Sequence, residues 1–308
     1  MKIELIIKKI SCSLLLLTTI SNMAFATATY PEPSNKTKRT TMQWPHARPK
    51  KLIAITIDDL PFVGEYRNFH LNMMIETMSK QHVPATGFII ASEVRKDNWE
   101  ILRKFRDAGF GLGNHTLTHA NLGKLNSKEY IREIQEADTI LAPVLTEPKY
   151  FRYPYLSMSS GQKKEDILCL LAKKNYQIAP ITVDSKDFVF NQRLLAVPEM
   201  ERRAYLEELK PFYLDFIKKQ TIHAEEHNEY HHNVEQAQIL LIHANLLNAY
   251  VLPDIIKLYK KNGYTFVSLE DALKTFKNPI RCSKPQFHRQ PQPHPENDSE
   301  IEAFIDWD

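Results

Sequence analysis

Residues 51–61 read Lys-Leu-Ile-Ala-Ile-Thr-Ile-Asp-Asp-Leu-Pro, and this run constrains the chain more than any other. Leu52, Ile53, Ala54, Ile55 and Ile57 form a near-continuous apolar stretch rich in β-branched side chains. That pattern suits a strand buried on both faces, as in a parallel sheet. The run stops on two adjacent carboxylates, Asp58 and Asp59, followed by Leu60 and Pro61. A carboxylate at the end of a buried strand needs a metal, a cation or a proton to offset its lost hydration. Consecutive strand residues point in different directions, so the two Asp residues can divide the work, one binding a metal and one handling a proton. An isolated Asp-Asp pair reads equally well as a helix cap, and the rest of the chain decides between the two.

Three features bound the class of molecule. Lys2, Lys8 and Lys9 precede a short apolar core at 10–20, and the small-x-small sites Ala24-Phe25-Ala26 and Ala26-Thr27-Ala28 follow, so residues 1–28 read as a secretory signal peptide. Its apolar core is shorter than the roughly 20 residues that span a bilayer. No membrane partner is expected beyond that export signal. Second, the formal net charge of +3 falls to about +1 once this segment, with three Lys and one Glu, is removed. Nothing in that balance argues for nucleic acid as a partner. Third, Cys12 lies in the signal and leaves Cys169 and Cys282. Export permits a disulfide between them, while Ile-Leu-Cys-Leu-Leu around Cys169 equally suits a buried thiol.

Along the chain, residues 29–49 are rich in Pro, Thr, Ser and Lys and read as a linker. Apolar runs and helical periodicities then alternate. Helices are expected at 68–81, 99–108 (ended by Gly109), 126–141 (with an Asn126/Glu129 capping box), 165–174, 252–261 and 268–277. Strands are expected at 86–90, 110–113, 178–183, 238–242 and 265–267, and residues 150–151 lead into Arg152. Residues 199–232 are long, charged and helical in pattern and break the rhythm. The tail, 281–308, turns rich in Pro, Gln and His and then acidic, a composition that does not fold alone. Alternating strands and helices imply a parallel sheet. About seven such units between residues 50 and 280 point to an α/β fold, a single distorted (β/α)7-8 barrel with a helical insert before the penultimate strand.

Polar residues directly follow the apolar strands: Asp58 and Asp59, Asn114 and His115, Arg152, Asp184, and His243. Barrels of this class place their active sites at that end of the strands. His115-Thr-Leu-Thr-His119 spaces two imidazoles four apart, which on a helical turn puts them on one face able to grip one ion. With Asp59 they make a two-His, one-carboxylate set that leaves positions for water and substrate, as catalytic zinc sites do. His223, His227 and His231 also recur every four residues, with His232 adjacent. Their neighbours are polar and the Glu stands one place late for a zincin helix, so they read as a solvated face.

Taken in order, these segments resemble the polysaccharide deacetylases, the fourth carbohydrate esterase family. Thr-Ile-Asp58-Asp59-Leu60-Pro61, His115 to His119, Phe151-Arg152-Tyr153-Pro154-Tyr155, Asp184-Ser-Lys-Asp187-Phe188 and Leu-Leu-Ile-His243 parallel its five motifs across residues 51–277. The resemblance implies a divalent metal, usually zinc, held by Asp59, His115 and His119. It implies Asp58 as general base, oriented and kept ionised by Arg152, and His243 as general acid, oriented by Asp187 or Asp184. The Tyr155 backbone N–H would stabilise the oxyanion. The implied partner is an acetylated polysaccharide. Two positions depart from the family pattern: Leu60 stands where Gly is usual and Phe188 where Trp is usual. Both are expected to line the substrate groove and to alter its shape. The implied activity is removal of acetyl groups from an N-acetylated glycan, with an O-deacetylase or a catalytically silent carbohydrate-binding protein as alternatives.

Overall fold

The structure, a computed structural model, describes residues 50–277 and 280–283. The expected signal (1–28) and linker (29–49) lie outside the described residues, as does the tail beyond Ser283. Eight strands form a wholly parallel sheet: β1 Lys51–Val63, β2 Ala85–Ile89, β3 Gly111–Asn114, β4 Lys149–Phe151, β5 Tyr176–Ile178, β6 Val183–Asp184, β7 Gln238–Asn245 and β8 Tyr264–Phe266. The hydrogen-bonded path runs β5-β4-β3-β2-β1-β7-β6. β8 pairs with β1 only at Lys51–Ile53, before β2 takes over that edge at Ile55. β1 is the axis of the molecule because its run is apolar on both faces. Ile53, Ile55, Ile57 and Leu60 belong to one core cluster, and Ala54 belongs to a second.

Eight helices alternate with the strands: α1 Arg67–Gln81, α2 Asn98–Asp107, α3 Ser127–Leu141, α4 Gly161–Lys173, α5 Asp187–Leu195, α6 Arg202–Tyr230, α7 Leu246–Lys261 and α8 Leu269–Lys274. Asn126 and Glu129 form the expected capping box before α3. Ser268 caps α8 through the Asp271 N–H. Gly109 takes the left-handed φ of 87° just past α2, as a helix-ending Gly does. The α/β barrel expectation holds, with the sheet curled as a half-barrel. α6 precedes the penultimate strand as expected. It buries Leu206, Leu209, Tyr213, Ile217, Thr221, Ala224 and Asn228 at three- and four-residue spacings. One stripe of a long charged helix is thus a core face.

Three local expectations are corrected. The strand expected at 178–183 is two strands, because Pro180 has no N–H to give a ladder. The chain leaves the β4 edge, where Ala179 N–H donates to Phe151 O, and reaches β7 by Thr182, whose N–H donates to Ile239 O. Residues 179–182 therefore cross from one end of the sheet path to the other. α7 begins at Leu246, six residues before the expected start at 252, because Asn245 caps it and the helix runs on through Pro253. α5 was not anticipated from periodicity: its nine residues are too few to show an apolar stripe.

Candidate functional site

Asp58 and Asp59 lie inside β1, where half-buried Asp59 interrupts a buried run that resumes at Leu60, Pro61 and Phe62. Asp59 takes a left-handed φ of 62°, which turns its carboxylate away from that of Asp58. His115 and His119 follow β3 in a loop and not on the expected helical turn. Thr116 and His119 both have positive φ, 68° and 59°. Asn114 Oδ1 accepts the Thr116 N–H at 2.8 Å, and Thr116 Oγ1 accepts the Ala120 N–H at 3.2 Å. Asn114 is fully buried and its amide donates to Ile134 O at 3.2 Å, so the loop is pinned to α3. The two imidazoles still converge, and both Nε2 atoms point at Asp59 Oδ1, at 3.6 Å from His115 and 3.5 Å from His119.

One ligand atom from each of Asp59, His115 and His119 lies within 4.8 Å of the others. Asp59 Oδ1 is buried and has no hydrogen-bond donor. Separations near 3.5 Å are too long for hydrogen bonds and match donors placed about 2.0–2.2 Å from a shared tetrahedral ion. His115 accords with this. Burial, partly opposed by the Asp59 charge, lowers its pKa to about 3, so it is a neutral ligand. Its Nδ1 lies 2.8 Å from Arg152 O, which fixes Nε2 as the free, ion-facing nitrogen when Nδ1 carries the proton. The residues present fit a divalent metal.

Asp58 is buried beside this set. Its Oδ2 stands 3.5 Å from Arg152 Nη1 and 3.7 Å from His115 Nε2, and its Oδ1 has no partner. Burial raises its pKa, and the pull of Arg152, His243 and His119 does not fully offset this. Arg152 is an ion-pair partner of Asp58 and the largest of the charges that favour its ionised form, while the guanidinium makes a closer contact elsewhere. Arg152 Nη2 donates to Thr56 Oγ1 at 3.0 Å, and Thr56 in turn donates to Leu240 O at 2.7 Å. The guanidinium carbon lies 4.8 Å over the Phe88 ring.

His243, near the end of β7, is the register partner of Asp58 on the neighbouring strand. Its Nδ1 is 2.7 Å from Asp187 Oδ1, and its backbone N–H donates to Asp187 Oδ2 at 2.7 Å. Asp187 is the first residue of α5 and fully buried. Burial pushes its pKa up, but the His243 charge and hydrogen bonds, with Asn245, more than offset this and hold it below the usual carboxylate range. His243 shows the complement. Burial lowers its pKa, yet the Asp187 charge and hydrogen bond, then Asp59 and Asp58, carry it up to about 10. Of the two Asp residues expected to orient His243, Asp187 does so. Asp184 instead accepts the Lys186 N–H at 3.0 Å and pairs with Lys186 Nζ at 2.5 Å.

The three groove residues separate. Phe188 is half exposed and sets its ring edge-on to His243, centroids 6.3 Å apart. Tyr155 has φ 55° and places its ring 4.6 Å from that of His119, so it walls the metal side. Leu60 does not line the groove. It is fully buried, and a Cβ on Gly87 of β2 would come within 2.6 Å of its Cδ2. Losing the usual Gly therefore fills the core below the site and leaves the groove wall to others. His223, His227, His231 and His232 lie at the end of α6 and are exposed, as a solvated face requires.

A sequence profile described as "Polysaccharide deacetylase" matches residues 46–177, which contain Asp58, Asp59, His115, His119 and Arg152. The chain carries a polysaccharide deacetylase domain. It is 31% identical over 141 residues to a peptidoglycan-N-acetylglucosamine deacetylase of Bacillus cereus, covering 45% of this chain and 47% of that protein. It is 29% identical over 140 residues to a chitin deacetylase of Arthroderma benhamiae, covering 44% of this chain and 35% of that one. The chain thus spans about half or less of these curated relatives. The deacetylase fold extends further than the profile. A CE4 family pseudoenzyme from Bacillus anthracis superposes with a TM-score of 0.54 at 21% identity, covering 74% of this chain and 66% of that one.

Around Asp187 and His243, sequence reasoning missed the residues that hold the catalytic candidates. Asn245 Nδ2 donates to Asp187 Oδ2 at 2.8 Å, and Asn248 Nδ2 donates to the same oxygen and to His243 O. Tyr213 OH donates to Asn248 Oδ1 at 2.9 Å, reaching in from α6. The Asn-x-x-Asn spacing after His243 is the one signal that could have found the pair, since it marks a helix N-cap.

Proposed function

We propose that this protein is an exported, metal-dependent hydrolase that removes acetyl groups from an N-acetylated glycan of peptidoglycan or chitin type. The observation that carries the proposal is the gathering of a carboxylate and a protonated imidazole beside one candidate metal set: Asp58 on β1 and, in register with it on β7, His243 paired with Asp187. Asp59, His115 and His119 would hold the ion, and zinc suits two imidazoles with one carboxylate. When bound, such an ion lowers the pKa of a coordinated water to about 7 and polarises an acyl oxygen. Asp58 takes the proton of the attacking water. Its raised pKa brings it closer to neutral pH, where a general base works best. Arg152 holds the Asp58 side of the groove and Thr56 holds Arg152. His243 carries a proton at neutral pH and donates it from Nε2 to the departing amine nitrogen. Asp187 accepts the Nδ1–H, which leaves the Nε2–H of the imidazolium as the proton to be donated, and stabilises its positive charge.

Both Asp58 and His243 are present, which disfavours a silent binding protein on the same fold. Similarity to relatives named for peptidoglycan and chitin deacetylation favours an N-acetyl substrate over an O-acetyl one. Export is supported by the leader-like residues 1–28 and by the Cys169–Cys282 disulfide, a bond that persists in oxidising compartments. The test is acetate release from acetylated chitin oligomers, peptidoglycan fragments and acetylated xylan, with and without chelator. Chelator-sensitive release from the first two supports the proposal. Release confined to xylan, or release indifferent to chelator, refutes it.

A further inference from the structure

The end of α6 carries histidines that the reaction does not use. His223, His227 and His231 recur at four-residue spacing and so share one stripe of the helix. All three are exposed, while Thr221, Ala224 and Asn228 carry the buried face. Packing therefore does not account for the imidazoles. Residues 221–236 also hold Glu225, Glu226, Glu229 and Glu235 and no Lys or Arg, and the C-terminal end of a helix is the negative end of its dipole. Both features favour a cation.

The decisive pair is His227 and His231. Their ring centroids are 4.4 Å apart. His231 stands just past the last residue of α6, yet its N–H donates to His227 O at 3.1 Å, so the helical register holds between them. The turn that follows is fixed too. Asn233 N–H donates to Asn228 O at 2.8 Å, Asn228 Nδ2 to Gln236 O at 3.1 Å, and Lys277 Nζ to His232 O at 2.7 Å. Among the described residues, no hydrogen bond or ion pair engages the ring nitrogens of His227 or His231. Two imidazoles one turn apart on a held helix end can offer two nitrogens to one ion by side-chain rotation alone. His223 belongs to a separate turn, where its Nδ1 faces Glu226 Oε2 at 3.9 Å. It lies about 12 Å along the axis from His231 at 1.5 Å per residue, too far for one ion to bridge all three.

We propose that His227 and His231 form a second divalent-metal site, with solvent in the remaining coordination positions. Its chemistry selects imidazole-seeking ions such as Cu2+, Ni2+ and Zn2+ over Mg2+ and Ca2+. The site is separate from the groove: α6 brings Tyr213 to Asn248 beside Asp187, then runs roughly 27 Å further to His231 at 1.5 Å per residue. An ion there takes no part in the reaction. It clips the last turn of α6, because the two nitrogens converge only while that turn is helical.

The test uses the mature, untagged protein, stripped of metal, carrying Asp59→Ala and His119→Ala to dismantle the groove set. Calorimetry with ZnCl2 and CuCl2 should find one ion held with a Kd on the order of 10 µM, tighter for Cu2+, and no binding of MgCl2. Adding His227→Asn and His231→Asn should abolish that binding, whereas His223→Asn should change the Kd by less than about threefold. Bound Cu2+ should show nitrogen hyperfine couplings in its electron paramagnetic resonance spectrum, lost with the two imidazoles. Zn2+ should slow amide exchange at residues 228–236 only while both are present. In a chain with the groove set intact, His227→Asn with His231→Asn should leave acetate release unchanged. A Kd above about 1 mM, ion binding unchanged by the double substitution, or Mg2+ binding as tight as Zn2+ overturns the site. So does a loss in His223→Asn equal to that of the double variant, because the stripe would then bind without a defined pair.

Discussion

At the residue scale, neighbouring groups of one type are made different by their surroundings. Asp58 and Asp59 are adjacent, yet Asp58 is buried against Arg152 while Asp59 turns through a positive φ to meet two imidazoles. Their substitutions should fail differently. Asp59→Ala should lose bound metal and activity together, whereas Asp58→Asn should retain the metal and lose about 10²–10⁴-fold in rate. Metal content by atomic absorption alongside acetate release checks this, and equal metal loss in both would end the division of labour. Asp187 is the second case. Its carboxylate raises the pKa of His243, so the acid persists to higher pH. Asp187→Asn removes that stabilisation of the imidazolium. The alkaline limb of the rate profile should therefore move to lower pH, measured on an acetamido substrate whose leaving nitrogen needs a proton. A limb that stays in place in Asp187→Asn would remove Asp187 from this role.

At the scale of elements, the site depends on how closely the strands approach. β3 is Gly-Leu-Gly-Asn, and its second glycine, Gly113, lies under the β4 edge. A Cβ there would meet Tyr150 O at 2.7 Å and the Phe88 ring at 2.8 Å. The obstruction on one side is backbone of a paired region, which cannot rotate away as a side-chain tip can. Gly113→Ala should cost about 1–3 kcal/mol by overpacking, read as a lower urea midpoint with an unchanged slope. Gly113 directly precedes Asn114, which seats the His115–His119 loop, so the same variant should bind metal more weakly. α6 belongs to this scale too. It is the helical insert expected before the penultimate strand, and its Tyr213 reaches the hydrogen-bond system around Asp187.

At the scale of the whole molecule, Cys169 on α4 is bonded to Cys282 beyond α8, with a sequence separation of 113 residues. Of the two readings open for these cysteines, the paired one is found. The covalent closure spans β5, β6, β7 and β8 and so restrains the unfolded chain strongly. Cys282→Ser should lower stability by about 2–4 kcal/mol, measured by urea unfolding without reductant. If the proposed leader is cleaved and Cys12 removed with it, thiol titration of the denatured mature protein should find no free thiol. One thiol would mean that the leader is retained, and two that the bond is not made. Among the described residues no helix is long and apolar enough to cross a membrane.

The parts of this protein legible in its sequence are those written in contiguous residues. The β1 run, the Asn126–Glu129 capping box and the strand ending on His243 rest on short-range periodicity and caps, which depend little on distant neighbours. The candidate metal set was legible because Asp59 and His115 directly follow apolar runs and His119 repeats His115 four places on. What tertiary structure decided are choices among partners far apart in the chain. Asp187 rather than Asp184 meets His243 because the first turn of α5 buries it there, 56 residues before its partner. His115 and His119 converge through a loop because buried Asn114 captures the Thr116 N–H, a competition with helix that spacing alone does not reveal. Leu60 turned inward because the glycine it packs against, Gly87, comes from another strand. Thr56, Asn248 and Tyr213 carry no motif of their own. They matter only where folding removes water, for there a buried charge must find its donors within the protein.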